Sequence, residues 1–186
     1  MTTSDKPDSR GRLLRAAADL AYREGVSVGV EALCKAAGVS KRSMYQLFDC
    51  KGELLAASLE ARAAVYAERL LPPSDGTPRD RILHVFAQLE TDARHPEYRG
   101  CPYLAVQIEL KSPTHPASKV ARQVKETTRE FFRSEAERGG ATDPDLLSRQ
   151  LMLLFDGASA RAGIGADDLE GLLQPMVAAL LDAGGL

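Results

Sequence analysis

Residues 30–55 read VEALCKAAGVSKRSMYQLFDCKGELL, and this stretch constrains the fold more than any other part of the chain. Val30, Leu33, Cys34 and Ala37 recur at the spacing that gives a helix of about two turns one apolar stripe. Gly38 follows where a helix ends in the left-handed conformation, which is least costly without a Cβ. Ser40 suits the N-cap of a second helix, and Val39 and Met44 stand where a hydrophobic staple forms. Met44, Leu47 and Phe48 are expected to point inward. Lys41, Arg42, Ser43, Tyr45 and Gln46 then face out. Two packed helices that hold the second at a fixed angle form a helix-turn-helix, the arrangement that sets a helix in the major groove.

The remaining periodicity is helical throughout, with no alternating run of strand length, so the fold class is all-α. A first helix spans 10–24, with Leu13, Ala17, Leu20 and Ala21 inward. A long fourth helix runs from Lys51 to Leu70 and stops at Pro72-Pro73. The fifth begins near Pro78 with Ile82, Val85, Phe86 and Leu89 on one stripe, and the sixth covers 100–110. The seventh, 117–138, carries Val120, Val124, Thr127 and Phe131 on one line. The eighth covers 143–161 and the ninth 167–182. Pro175 removes an amide and clashes with the Gly171 carbonyl, which predicts a kink or two pieces there.

The hydrophobic content of 44% over 186 residues supports a packed core in one or two domains. A boundary at residue 55 is expected, with a helix-turn-helix domain over 1–55 and a larger helical domain over 56–186. No run of about 18 apolar residues exists, and the opening MTTSDKPDSRGR lacks an apolar signal core, so a soluble cytoplasmic chain without a membrane partner is expected. Cys34, Cys50 and Cys101 show no framework spacing, and His84, His95 and His115 show no zinc motif. Neither a metal nor another cofactor is expected. The net charge of −2 is unevenly spread: residues 1–55 hold 9 basic against 7 acidic side chains, the rest 15 against 19. A mildly basic segment beside an acidic remainder fits a DNA partner for the first.

Residues 11–55 resemble the DNA-binding domain of the TetR/AcrR family of bacterial repressors. The matching residues are LLRAAADLAYREG, then AGVSKRSMYQLF, then Lys51 with Glu53, Leu54 and Leu55. Two departures stand out. Val28 and Gly29 replace the usual Thr-Ser before the first motif helix, and Arg42 replaces a small residue. The resemblance implies phosphate contacts from Tyr45 and Lys51. Lys41, Arg42, Ser43 and Gln46 complete the DNA-binding set, with Arg42, Ser43 and Gln46 as candidates for base edges. It also implies a homodimer built from the last two helices and release from a palindromic operator by an unidentified small-molecule effector.

For the dimer interface the candidates are Leu147, Leu151, Leu154 and Ala158 on the eighth helix, with Leu173, Met176 and Leu180 on the ninth. Core burial within one protomer accounts for part of each stripe. A further segment, 98–116, resembles one group within the family at Arg99, Gly100, Cys101, Pro102, Tyr103, Leu104, Glu109, Leu110, His115 and Pro116. The resemblance sets an effector cavity among the fifth to eighth helices, with Phe86, Cys101, Tyr103, Gln107, Phe131 and Phe155 as candidate lining. Plain core packing is the alternative for each of them. Cys101 beside Arg99 at a helix start also admits a thiol-sensing role, against simple burial. An all-helical enzyme stays open as another class, though no Ser-His-Asp, Cys-His or paired-carboxylate arrangement stands out.

Overall fold

The computed structural model describes residues 8–186, and among these it contains nine helices and no strand. They are α1 (Ser9–Glu24), α2 (Val30–Ala37), α3 (Lys41–Leu47), α4 (Lys51–Leu70), α5 (Pro78–Ala93), α6 (Pro102–Leu110), α7 (Pro116–Arg138), α8 (Pro144–Gly163) and α9 (Leu173–Gly184). The opening MTTSDKP lies outside the described residues. The chain divides into two compact units. One runs up to Ala63 and takes in Ala105–Arg122; the other comprises Ala64–Leu104 and Gln123–Leu186. A boundary at residue 55 therefore leaves out 56–63 and 105–122 from the first unit. α4 continues past residue 55 without a break, and 105–122 joins the first unit through contacts with residues far away in sequence.

In the first unit α1, α2 and α3 pack on one another. Leu13 and Ala17 of α1, Leu33, Cys34 and Ala37 of α2 and Met44 of α3 are all buried. Asp8 caps α1 by accepting from the Gly11 amide at 2.7 Å. Gly38 takes φ 62 and sends its N–H back to Cys34 and Lys35, which ends α2 and turns the chain into α3. Leu47 departs from expectation. It is 42% exposed, because Met44 and Phe48 alone occupy the inward side of so short a helix.

The second unit is built around three phenylalanines. The Phe86 ring stacks on Phe132 with centroids 5.7 Å apart and meets Phe155 edge-on at 6.1 Å. Ile82, Val85, Leu89, Leu147, Leu151, Leu173, Val177 and Leu181 extend this core along α5, α8 and α9. The stripe expected on α7 is shifted. Thr127 is exposed and Val120, Val124 and Phe131 only half-buried, whereas Ala117, Ala121, Lys125, Thr128, Phe132, Glu135 and Ala136 are buried. Lys125 tolerates this because its ammonium pairs with Asp156 and lies 4.9 Å from the Phe155 ring centroid. Glu135 is likewise matched by Arg81 at 2.9 Å and Arg138 at 2.6 Å.

The expected kink in the last helix is replaced by a later start. α9 begins at Leu173, so Pro175 falls in the first turn, where amides have no partner inside the helix. Leu169 and Gly171 take φ values of 64 and 68, and the segment before α9 is turn rather than helix. The Leu173 amide is instead satisfied by Glu90 at 3.1 Å.

The buried Lys125–Asp156 pair yields an asymmetric expectation. Asp156→Ala strands a desolvated ammonium and should destabilise the chain by about 3 kcal/mol. Lys125→Met keeps the stem in place and leaves a part-exposed carboxylate, so its loss should be under about 1 kcal/mol. Urea unfolding of the two variants measures the difference.

Candidate nucleic-acid interface

α3 has seven residues, too short to hold itself in water, so its position depends on its ends and its inner face. At the N-terminus the Ser40 hydroxyl accepts from the Ser43 amide at 3.0 Å, and the hydroxyls of Ser40 and Ser43 lie 2.9 Å apart. Inside, Met44 is fully buried and Phe48 nearly so, with the Arg10 guanidinium 5.6 Å from the Phe48 ring centroid. Arg12 of α1 reaches the C-terminal end of α2, donating to the Ala37 carbonyl at 3.0 Å, where a cation complements the helix dipole.

The outward face brings together the residues expected there. Lys41, Arg42, Tyr45 and Gln46 are exposed, and Ser43 is half-buried beside the cap. The helix KRSMYQL contains no acidic residue. Lys41 is held by Glu31 of α2 at 2.5 Å. This contact keeps the Glu31 carboxyl below its ordinary range and raises the Lys41 ammonium above its own. Gly29 serves as N-cap of α2 without a side-chain bond.

Lys51 has a more specific environment than the sequence suggests. Its ammonium donates to the carbonyls of Val26 and Val28, at 2.7 and 2.9 Å. The Val26 amide donates to the Glu109 carboxylate of α6, also at 2.7 Å. Three polar backbone groups of the 25–28 turn are thus satisfied by two side chains remote in sequence. Gly25, at φ 89, leaves room for this: a Cβ there would lie 2.6 Å from Glu109 Oε2. His115 packs in the same unit, its Nε2 3.0 Å from where a Cβ of Gly52 would stand. Glu109 and His115 carried no role in the sequence reading. Their only signal was membership of the 98–116 pattern.

The other half of that pattern lies in the second unit. Gly100 has φ 88 and meets the Ser159 carbonyl 3.0 Å from its ideal Cβ position; Gly163, one turn on, receives the Arg99 backbone. The Ser159 hydroxyl accepts from the Cys101 amide at 2.7 Å and lies 2.9 Å from the Tyr98 hydroxyl. Cys101 is buried with its sulfur 3.4 Å from the Tyr66 hydroxyl, and Tyr66 meets Tyr103 edge-on at 4.9 Å. Burial, then the Cys101 neighbour, push the Tyr66 phenol well above its usual range. The Arg99 guanidinium donates to the carbonyls of Pro96 and Tyr98.

Of the effector candidates, Phe86 and Phe155 belong to the aromatic core and Phe131 packs against it, while Cys101 and Tyr103 are buried near Tyr66. Gln107 falls in the other unit. Of the dimer candidates, Leu147, Leu151, Ala158 and Leu173 are core residues of the protomer itself. Leu154 and Leu180 are half-buried and Met176 is 44% exposed. Leu146, Leu153 and Ile164, at 76% exposure for Leu153, add to the apolar surface of α8 and its end, and Leu172 to that preceding α9. No described helix is long and apolar enough to cross a membrane.

Comparison with known proteins agrees with this geometry. Residues 13–58 match the model of bacterial regulatory proteins of the tetR family. A crystal structure from Streptomyces avermitilis, of a protein assigned to the TetR transcriptional regulators, is 64% identical; the match covers 97% of this chain and 100% of that one, with a TM-score of 0.95. The reduced form of NemR from Escherichia coli is 25% identical, covers 94% and 95% of the two chains and has a TM-score of 0.79. The sequence of the HTH-type transcriptional repressor NemR from E. coli K12 is 32% identical over 115 residues, a stretch covering 59% of this chain and 58% of that repressor. The chain belongs to the TetR family of bacterial regulatory proteins.

Proposed function

We propose that this protein is a sequence-specific DNA-binding repressor that acts in the cytoplasm as a homodimer on a palindromic operator. The observation that carries the reading is the outer face of α3. A capped helix with a buried inner side presents Lys41, Arg42, Tyr45 and Gln46 together, with no carboxylate of its own. Arg42 and Gln46 are one turn apart on the outermost line, suited to base edges. A guanidinium recognises guanine through two acceptors in the major groove, worth roughly 1–3 kcal/mol of discrimination. Tyr45 on one flank, and the third N–H of Lys51, serve phosphates. Lys41 joins them by exchanging Glu31 for a phosphate.

Two-fold reading requires two copies. The exposed apolar residues Leu153, Met176, Leu172 and Ile164, with half-buried Leu154 and Leu180, form the surface we assign to the partner copy. An isologous pairing of this face presents the two α3 helices to half-sites related by the same symmetry. Release requires an effector with higher affinity for the DNA-free state, a coupling of about 1–3 kcal/mol being typical. An apolar effector acts in the second unit, among Phe86, Phe131 and Phe155, where it must displace packed side chains. For Cys101 the geometry supports packing, since its amide and sulfur are engaged with Ser159 and Tyr66.

Selection from random duplex DNA tests the readout. Arg42→Ala should relax preference at one position of each half-site, while Lys51→Ala should weaken all sequences alike and lower the salt slope by about one. An unchanged selected motif for Arg42→Ala contradicts the assignment. For the dimer, Leu153→Glu and Met176→Glu replace exposed residues and should leave the fold intact. Light scattering at micromolar concentration should show a dimer for the unmodified chain and a folded monomer for the double variant.

A further inference from the structure

The C-terminal end of α6 and the first half of α7 border an open pocket of about 210 Å³ lined by half-buried Gln107 and Ser112, buried Ser118 and exposed Lys111, Pro113 and Arg122, all in the first unit. Its chemistry is one-sided. The lining contains an ammonium, a guanidinium, an amide and two hydroxyls, and no carboxylate. Neither Lys111 nor Arg122 has a carboxylate partner among the described residues. The contrast within α7 is sharp, since Arg129, Arg133 and Arg138 further along are each paired with acids. Arg122 donates to the Pro113 carbonyl at 3.0 Å, which holds the guanidinium against the pocket's own wall.

Ser118 provides the second, independent observation. It is 3% exposed, and its Oγ is buried with no hydrogen-bond partner among the described residues. A hydroxyl inside a helix can turn back to the carbonyl four residues earlier, as Thr127 does to Gln123 at 3.0 Å and Thr128 to Val124 at 3.2 Å; for Ser118, in the first turn of α7, that residue is Thr114, ahead of the helix. Ser118 makes no such bond. A buried hydroxyl left unmatched is destabilising unless something else supplies the bond. Lys111 is also held at φ 48, a conformation usual for glycine at a helix end and unfavourable for lysine.

We infer that this pocket is a binding site for a small anion, a carboxylate or phosphate group. Arg122 and Lys111 supply the charge, and Gln107, Ser112 and Ser118 complete its hydrogen bonds. A guanidinium fixed on one side by a carbonyl keeps donors free in a plane that fits two acidic oxygens. The inference does not depend on the DNA-binding reading.

Titration of the isotope-labelled full chain with sodium phosphate, sodium acetate and sodium succinate, against sodium chloride at equal ionic strength, tests it. At least one of the three acids should move the amide resonances of Lys111 and Ser118 saturably, at concentrations where chloride does not. Saturation by phosphate alone identifies a phosphate site; saturation by acetate or succinate alone identifies a carboxylate site. Arg122→Gln and Lys111→Gln should each weaken that binding tenfold or more with an unchanged urea midpoint, and Ser118→Ala should weaken it without loss of stability. Shifts no larger than those from chloride, or equal affinity in Arg122→Gln, would overturn the assignment.

Discussion

The 25–28 turn is the constraint on which the DNA-binding unit depends. It joins α1 to α2, and its backbone groups at Val26 and Val28 cannot be satisfied by either helix. Glu109 accepts the Val26 amide, and Lys51 donates to the Val26 and Val28 carbonyls. An unmatched buried backbone group costs about 1–3 kcal/mol, so the turn is stable only where both side chains reach it. Lys51 opens α4 and Glu109 lies on α6, so the turn fixes α2 against both. α3 follows α2 after the Gly38 turn, and the outer face of α3 inherits its aim from that anchor. Glu109 thereby belongs to the unit that contains the helix-turn-helix, although it stands 83 residues from its partner.

Local signals were legible in the sequence where they were strong. The α2 stripe, the Gly38 stop, the Ser40 cap, the length of α4 and the inward residues of α5 all follow from periodicity and capping. The face of α7 was not legible, because its buried side includes alanines and a lysine made tolerable only by Asp156 and Phe155 from another helix. The start of α9 was hidden by Leu169, whose positive φ has no marker in a leucine-rich run. Leu47 misled for the opposite reason: an apolar residue at a plausible spacing has no inner surface left once Met44 and Phe48 fill it.

For the functional site, exposure of Lys41, Arg42, Tyr45 and Gln46 was readable from the same helical pattern that buried Met44. The engagement of Lys51 by two carbonyls was not, since it depends on a turn 23 to 25 residues away. The candidate dimer residues of α8 and α9 divided for a similar reason. A broad leucine stripe does not say which leucines face the protomer's own core, and Leu147, Leu151 and Leu173 face it while Leu153 and Met176 do not.

The central claim is that two α3 helices, one from each copy, read half-sites at a fixed separation. Fluorescence anisotropy with the palindrome selected by the unmodified chain tests it most directly, when repeated on a duplex whose half-sites are moved apart by about five base pairs. That insertion rotates one half-site to the opposite face of the DNA, near half of a turn of about 10 base pairs. Affinity for the altered duplex should fall to that for unrelated DNA of equal length and salt. Equal affinity for the two duplexes would contradict the account.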